Sequence, residues 1–148
     1  MADTRRFEPR DPAFREKVGT SFHCQEVMKT VGVEIVTVDP GRVELAFLHQ
    51  KTLTQQHGYI HAGIATTVLD SACGYAALTL MPENSEVLTI EFKTNLLAPA
   101  LGDSYLAIGC VKKSGRTITV SDGELYAISG QEEKLAATMT ATLMCMNG

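Results

Sequence analysis

The stretch TQQHGYIHAGIATTVLDSACGYAAL, residues 54–78, decides how the rest of the chain is arranged. From His61 to Leu80 the chain contains no proline, and this run is too long for a typical strand. Its alanines and glycines allow close approach to other backbone, but its threonines, valine and two glycines are poor helix formers. We therefore predict one long helix that is held by burial rather than by intrinsic propensity. A single carboxylate, Asp70, lies in this otherwise small and apolar segment.

Shorter elements precede the predicted helix. Asp11-Pro12 is typical of a helix start, with Asp as the N-cap and Pro in the first turn. A second short helix around residues 25–30 is expected to stop at Gly32. Two alternating runs then flank a turn at Asp39-Pro40-Gly41, which predicts a hairpin; they are VEIVTV (33–38) and RVELAFL (42–48).

Four alternating runs follow the predicted helix, namely LTIEFKTNL (88–96), SYLAIGCVKK (104–113), RTITVSDGELYAIS (116–129) and KLAATMTATLMCM (134–146). In the first run, apolar residues share one face and polar residues the other, which predicts a half-buried strand. The apolar set is Leu88, Ile90, Phe92 and Leu96, and the polar set is Thr89, Glu91, Lys93 and Asn95. The order of elements predicts an α+β fold in which an antiparallel sheet wraps a long central helix. We expect residues 1–148 to form a single domain, with residues 1–31 as an N-terminal helical segment.

Composition and charge argue against several classes of function. The net charge is −4 and the basic residues form no long block, so nucleic acid is not an expected partner. No run is apolar and long enough to span a membrane, and the N-terminus lacks an apolar leader. The four cysteines form no C-x-x-C pair, which is typical of reduced thiols. We therefore expect a cytoplasmic protein with no membrane partner.

Common catalytic and metal-binding signatures are missing from the sequence. It contains no G-x-S-x-G elbow, no phosphate-binding P-loop and no G-x-G-x-x-G fingerprint. His57 and His61 are four residues apart, as zinc ligands on a helix are. However, no Glu lies between them, and Gly58 indicates a loop. No metal site is predicted.

Asp70 is the strongest functional signal. Its bland interpretation is an aspartate on a solvated helix face or at a helix break, but no charged residue lies three or four positions away to form a surface ion pair. If the helix begins near His61, the N–H groups of Ala62 and Gly63 lie unpaired at its positive end, where they suit a developing oxyanion. Asp70 lies two turns further on, on another side of the helix. A dimer, in which one helix supplies the donors and its mate the carboxylate, is the natural arrangement.

HAGIATTVLD (61–70) resembles the H-G-G-x-x-x-x-x-x-D motif of hotdog-fold acyl-CoA thioesterases of the PaaI-like, phenylacetate-degradation type. QQHGYIHAG (55–63) is similar to a bacterial branch that acts on medium- and long-chain acyl-CoAs. The resemblance covers roughly residues 31–146 and implies hydrolysis of an acyl-CoA to a free acid and CoA, with no cofactor apart from the CoA of the substrate.

The resemblance also implies roles for individual residues. Asp70 corresponds to the carboxylate that acts as general base or as nucleophile. Ala62 stands where the family usually has the first glycine, whose N–H polarises the thioester carbonyl. Gln55 corresponds to a residue that positions the water or the carbonyl, and His61 shapes the turn. Thr89 falls where a family Ser or Thr helps to hold the water.

Substrate contacts and partners are implied in the same way. The hairpin VKKSGRT (111–117) resembles the family's segment beside the CoA tail, where Lys112, Lys113 and Arg116, with Gly115 in the turn, would meet the phosphates. An ordinary basic surface turn is the alternative. Gly63 is also expected at the substrate. Leu69, Cys73 or Tyr75 are expected either to line an acyl tunnel or to lie in the core. The family implies homodimers that share their active sites, with tetramers as dimers of dimers.

Two other functions stay open at this point. One is a hotdog module that binds acyl-CoA without cleaving it. The other is a hotdog enzyme of the enoyl-CoA hydratase type, which needs a catalytic His paired with an Asp or Glu. His57 and His61 keep that alternative open, although the spacing from His61 to Asp70 favours the thioesterase.

Overall fold

A computed structural model describes residues 6–147 of the chain. Its helices are α1 (Phe14–Cys24), α2 (Glu26–Val31) and α3 (Ala62–Leu78), with a short 3-10 turn at Lys51–Leu53. Its strands are β1 (Glu34–Asp39), β2 (Arg42–Leu48), β3 (Ser85–Leu96), β4 (Ser104–Ser114), β5 (Ile118–Ser129) and β6 (Glu132–Asn147). The predicted α+β fold and the order of its elements are confirmed.

Of the two helix boundaries predicted in the N-terminal segment, one is confirmed and one is wrong. Gly32 ends α2 in the left-handed conformation, with φ of 81°, as its position predicted. Asp11, however, is not the N-cap, because α1 begins at Phe14 after Ala13. The Asp11 carboxylate instead accepts a hydrogen bond from the Ala13 N–H at 2.9 Å and lies 3.3 Å from Lys17 Nζ. It therefore stabilises the turn that leads into the helix.

The six strands form one antiparallel sheet in the order β1-β2-β4-β5-β6-β3. Helix α3 packs on this sheet, and every residue from 71 to 78 is buried. The small residues serve close approach: a Cβ on Gly109 of β4 would lie 2.2 Å from the Ala72 carbonyl oxygen of α3. This proximity explains how burial holds a helix of mixed propensity.

Strand β3 is an edge of the sheet and differs from its prediction. Its apolar residues are exposed in the single protomer, at 54% for Leu88, 53% for Ile90, 45% for Phe92 and 60% for Leu96. The expectation of a half-buried strand is therefore wrong for one copy of the chain. The physical reason is position, because β3 is the last strand of the sheet and only β6 pairs with it.

A β-bulge between Thr89 and Glu91 also changes which residues share a face of β3. Thr89 lies opposite Leu143, and Phe92 lies opposite Ala141; both of these β6 residues are fully buried on the side of α3. Directly opposed residues point to the same face. Thr89 therefore lies on the helix side together with Phe92, whereas simple alternation placed them on opposite faces.

Candidate active site

His61 caps the N-terminus of α3, and this arrangement leaves one helix donor available. The His61 Nδ1 accepts a hydrogen bond from the Gly63 N–H at 2.8 Å, and its carbonyl accepts from Ile64 and Ala65. The expectation of an unpaired Gly63 N–H is therefore wrong. The Ala62 N–H has no hydrogen-bond acceptor among residues 6–147, so it is the donor that the positive end of α3 presents.

Gln55 lies in the tight turn before this helix end. Its side-chain oxygen accepts hydrogen bonds from the backbone N–H of His57 at 2.5 Å and of Tyr59 at 3.3 Å. The amide oxygen therefore holds the turn, and the NH₂ group is the end that can donate to a ligand. Gln55, His61 and Ala62 line one groove of about 480 Å³, whose opposite wall is formed by residues 96–100.

A network around Tyr105, which the sequence analysis did not single out, holds that opposite wall in place. The Tyr105 hydroxyl lies 2.7 Å from His49 Nδ1, accepts from the Gly102 N–H at 3.1 Å and lies 3.3 Å from the Ala100 carbonyl oxygen. The same carbonyl accepts from the Ile60 N–H at 2.9 Å, directly before the helix cap. A fully buried tyrosine within an alternating strand was the only available signal, and its partners are distant in sequence.

Asp70 and Thr89 form the second part of the site. The Thr89 hydroxyl donates a hydrogen bond of 2.7 Å to Asp70 Oδ1, and the β3 bulge is what turns this hydroxyl toward α3. Both residues line a small depression of about 100 Å³. Burial, and after it the nearby Asp70 carboxylate, raise the pKa of the Cys73 thiol, which is inaccessible. Asp70 is the half-buried carboxylate that this depression presents.

The two parts of the site lie apart within one protomer. Asp70 and Thr89 line one depression, and Gln55, His61 and Ala62 line another. Ala62 and Asp70 are separated by about 12 Å along the axis of α3, since each residue adds 1.5 Å. One carbonyl carbon cannot contact both groups of the same chain.

The predicted phosphate-binding residues lie in the hairpin between the inner strands β4 and β5, and β6 separates this hairpin from the edge strand β3. Lys112 is 3.6 Å from Asp122, and Lys113 and Arg116 are exposed. A Cβ on Gly115 would lie 2.7 Å from the Ile118 carbonyl oxygen, so this glycine is required by the tight turn itself.

The other predicted chemistry depends on the partners of the histidines and on groups that could hold a metal ion. No histidine in the described ranges is hydrogen-bonded to a carboxylate, and His61 is used as a helix cap. Over the same residues there is no group of three or more His, Cys, Asp or Glu side chains that could hold a metal ion. Nor is any helix between residues 6 and 147 long and apolar enough to cross a membrane.

Comparisons with known proteins identify the class. The sequence pattern of the thioesterase superfamily matches residues 57–134. A thioesterase family protein from Silicibacter pomeroyi, solved as a crystal structure, is 53% identical, covers 91% of this chain and 99% of its own, and has a TM-score of 0.90. The 1,4-dihydroxy-2-naphthoyl-CoA hydrolase of Listeria monocytogenes is 26% identical over 79% of this chain and 93% of that protein. The PaaI protein of the E. coli phenylacetic acid degradation operon shares the fold at 18% identity, with a TM-score of 0.82 over 91% of this chain and 94% of its own.

A six-stranded antiparallel sheet packed on one long helix, shared with solved thioesterase family proteins, defines a hotdog-fold protein. Because the superfamily pattern matches more than half of the chain, the chain belongs to the thioesterase superfamily. The resemblance read from HAGIATTVLD is thereby confirmed.

Proposed function

We propose that this protein hydrolyses an acyl-CoA thioester to a carboxylic acid and CoA, in an active site completed by a second copy of the chain. The observation that carries the proposal is the Asp70–Thr89 hydrogen bond of 2.7 Å at an uncovered sheet edge, away from the Ala62 N–H. The relative named as a naphthoyl-CoA hydrolase supports CoA thioesters as the substrate class.

The bare edge of β3 supports the second copy. A long strand edge with exposed apolar side chains is a template for pairing with another chain, and soluble proteins rarely leave one uncovered. Leu88, Ile90, Phe92 and Leu96 are all about half exposed here. Pairing with β3 of a second copy would bury them and would bring the N-terminus of its α3 toward Asp70. Tetramers built from two such dimers are part of the same proposal.

The chemistry follows from the two kinds of group. Water attacks the thioester carbonyl carbon while the Asp70 carboxylate accepts a proton from it. The Ala62 N–H of the second copy, at the positive end of its helix, stabilises the negative charge that develops on the carbonyl oxygen. The C–S bond then breaks, and CoA leaves as a thiolate that takes up the proton.

Two positioning roles complete this scheme. In this proposal Thr89 orients the carboxylate, and the NH₂ of Gln55 from the second copy donates to the water or the carbonyl. A covalent route, in which Asp70 itself attacks and water then cleaves the mixed anhydride, uses the same residues. When water cleaves the anhydride at the Asp70 carbonyl carbon, the bridging oxygen of Asp70 stays with the product acid and the water oxygen stays on Asp70. Single-turnover reaction in ¹⁸O-labelled water separates this covalent route from the general-base route, which places ¹⁸O in the product acid.

Binding of the CoA phosphates by the β4–β5 hairpin stays part of the proposal. Lys113 and Arg116 are exposed at its tip, and both carry the positive charge that favours a phosphate. Replacing both with Gln should raise KM for acyl-CoA and leave KM for the acyl-pantetheine thioester, which lacks the nucleotide, unchanged. Equal effects on the two substrates would remove the hairpin from the binding site.

The test of the proposed function is CoA release from short, medium, long and aromatic acyl-CoAs, followed by thioester absorbance. Asp70→Asn should lower kcat by about 10²–10⁴-fold, the usual worth of a general acid or base. Asp103→Asn is the matched control, since Asp103 is an exposed aspartate outside both depressions. Full activity of Asp70→Asn would refute the mechanism, and tight binding without turnover by the wild type would indicate a binding module instead.

A further inference from the structure

Gln25 lies at the break between α1 and α2, where it caps the end of the first helix and the start of the second. Its backbone is extended, with φ of −84° and ψ of 97°. The side chain makes no capping hydrogen bond, and Ser, Thr, Asp and Asn are the residues preferred at an N-cap. The local helix boundary therefore does not explain a glutamine at this position.

The side-chain amide of Gln25 is held by α3 instead. Its Oε1 accepts a hydrogen bond of 2.7 Å from the Ser71 hydroxyl, which is 46 residues away in the chain. Ser71 is only 7% exposed, and its hydroxyl donates to no other group in the described part of the chain. Because a buried hydroxyl needs an acceptor, this bond fixes which end of the amide faces Ser71. The Nε2 end has no acceptor among residues 6–147.

Two further contacts hold the end of α1 against α3. The Ser21 hydroxyl donates to the Tyr75 hydroxyl at 3.3 Å, and the rings of Phe22 and Tyr75 meet edge to face with centroids 6.1 Å apart. Phe22 and Tyr75 are both buried. Packing therefore fixes the position of this helix end, and the position does not depend on the Gln25–Ser71 bond alone.

Gln25 and Ser71 line the same depression as Asp70 and Thr89. The Thr89 hydroxyl occupies Asp70 Oδ1, and Asp70 Oδ2 has no hydrogen-bond partner among the described residues. The depression therefore presents a free acceptor on Asp70 and a free amide donor on Gln25. Its volume of about 100 Å³ exceeds the roughly 30 Å³ that one water molecule takes in the liquid.

An attacking water needs a donor as well as a base. One of its hydrogens points at the base and one lone pair points at the carbonyl carbon, so the second lone pair is left to accept a hydrogen bond. A neutral amide supplies that bond and leaves the charge of the base unchanged. A lysine in the same place would pair with the carboxylate and weaken it as a base.

We infer that Gln25 is a water-positioning residue of the hydrolysis. Its NH₂ group donates to the water whose proton Asp70 accepts, and Ser71 fixes the amide in that orientation. The inference rests on the proposed function, in its general-base form, and leaves Gln55 of the second copy to the thioester carbonyl. Gln25 lies outside residues 57–134, so the superfamily pattern does not include it.

The experiment compares kcat and KM of Gln25→Glu and wild type on the acyl-CoA that the wild type hydrolyses fastest. A glutamate has the same length and still accepts from the Ser71 hydroxyl, but its second oxygen replaces the donor with an acceptor. We expect kcat to fall by about tenfold or more and KM to stay within about twofold, because the water and not the substrate loses its partner. Circular dichroism should show the fold of the wild type.

Further variants separate the donor from the anchor. The double variant Gln25→Met, Ser71→Ala replaces both hydrogen-bonding partners with apolar groups, which costs little stability, yet its kcat should also fall by about tenfold. Ser71→Ala alone keeps the NH₂ group but frees the amide to turn, so its kcat should lie between those of the wild type and the double variant. Gln131→Met, in the exposed turn between β5 and β6, is the matched control and should leave kcat and KM unchanged.

The results separate this inference from the proposed function. If Gln25→Glu and the double variant both retain the kcat of the wild type, Gln25 only anchors α1 to α3, and thioester hydrolysis by Asp70 stays in place. A raised KM with unchanged kcat would also overturn the inference, since it would place Gln25 against the substrate rather than the water. If the wild type hydrolyses no acyl-CoA, the proposed function fails, and the role of Gln25 fails with it.

Discussion

Replacement of Ala62 by proline removes one backbone N–H group. Because Ala62 is the first residue of α3, the rest of the helix should be preserved. Ala62 is the first residue of α3, where proline is favoured, because the N–H of that position has no partner within the helix. His61 before it has φ of −59° and ψ of 137°, which is the conformation that a residue preceding proline adopts. Among residues 6–147, no group accepts a hydrogen bond from the Ala62 N–H, so none is broken.

The effects on stability and on turnover should therefore separate. Proline restricts the unfolded chain, which changes the free energy of unfolding by less than about 1 kcal/mol in the stabilising direction. Loss of one oxyanion donor costs about 2.7–4 kcal/mol in the transition state, which corresponds to about 10²–10³-fold in kcat. Chemical denaturation followed by circular dichroism measures the first quantity, and steady-state hydrolysis of the best acyl-CoA measures the second.

Ala62→Gly is the control, because it retains the N–H and restores the residue that the family usually has at this position. Its kcat should stay within about threefold of the wild type, since glycine at a helix start perturbs little. A Pro variant that folds normally and retains kcat within a factor of about three would show that the Ala62 N–H does not stabilise the oxyanion. A Pro variant that unfolds would show instead that the helix start is not the one described.

Three other perturbations test the remaining parts of the proposal. Thr89→Val should lower kcat by about 10-fold or more, because a hydrogen bond to a charged group contributes about 1.5–3 kcal/mol. Thr142→Val is the control and should leave kcat unchanged, since it removes a hydroxyl-to-carboxylate bond of 2.9 Å on the outer face of the same strand pair. Phe92→Glu should yield inactive monomers in sedimentation experiments, whereas Val36→Glu, an exposed position on the opposite edge strand, should leave the oligomer intact. Tyr105→Phe should destabilise the fold by about 1–3 kcal/mol in urea denaturation, since buried partners lose their hydrogen bonds; an unchanged midpoint would contradict that role.

The fold was predictable because its strongest signals are local and agree with one another. The long segment without proline around Asp70 could only be a buried helix, and the alternating runs on both sides could only be strands around it. Gly32 ended its helix as its position predicted. The N-cap was predicted two residues too early, at Asp11 instead of Ala13, because the Asp11 carboxylate serves the preceding turn and Lys17 rather than the helix start.

The detailed geometry of the site was less predictable, because it depends on contacts between residues that are distant in sequence. No glycine or other turn residue marks the bulge between Thr89 and Glu91 in the sequence. Simple alternation therefore placed Thr89 on the wrong face of β3. The Gly63 N–H was predicted to be unpaired, but the side chain of His61 accepts its hydrogen bond. Phe92 is exposed because β3 lies at the edge of the sheet. The alternation of polar and apolar residues within a strand does not predict whether that strand is at the edge or in the middle.

The division of the site between two surfaces follows from the geometry of one helix. A donor at the first turn points along the axis of α3, whereas a carboxylate in the middle of the same helix projects sideways, so the two cannot converge on one atom. The strand that carries Thr89 is also the strand whose apolar residues are uncovered. Burial of that edge and completion of the site would therefore be one event, and an isolated protomer would hold a base without the donor that its reaction needs.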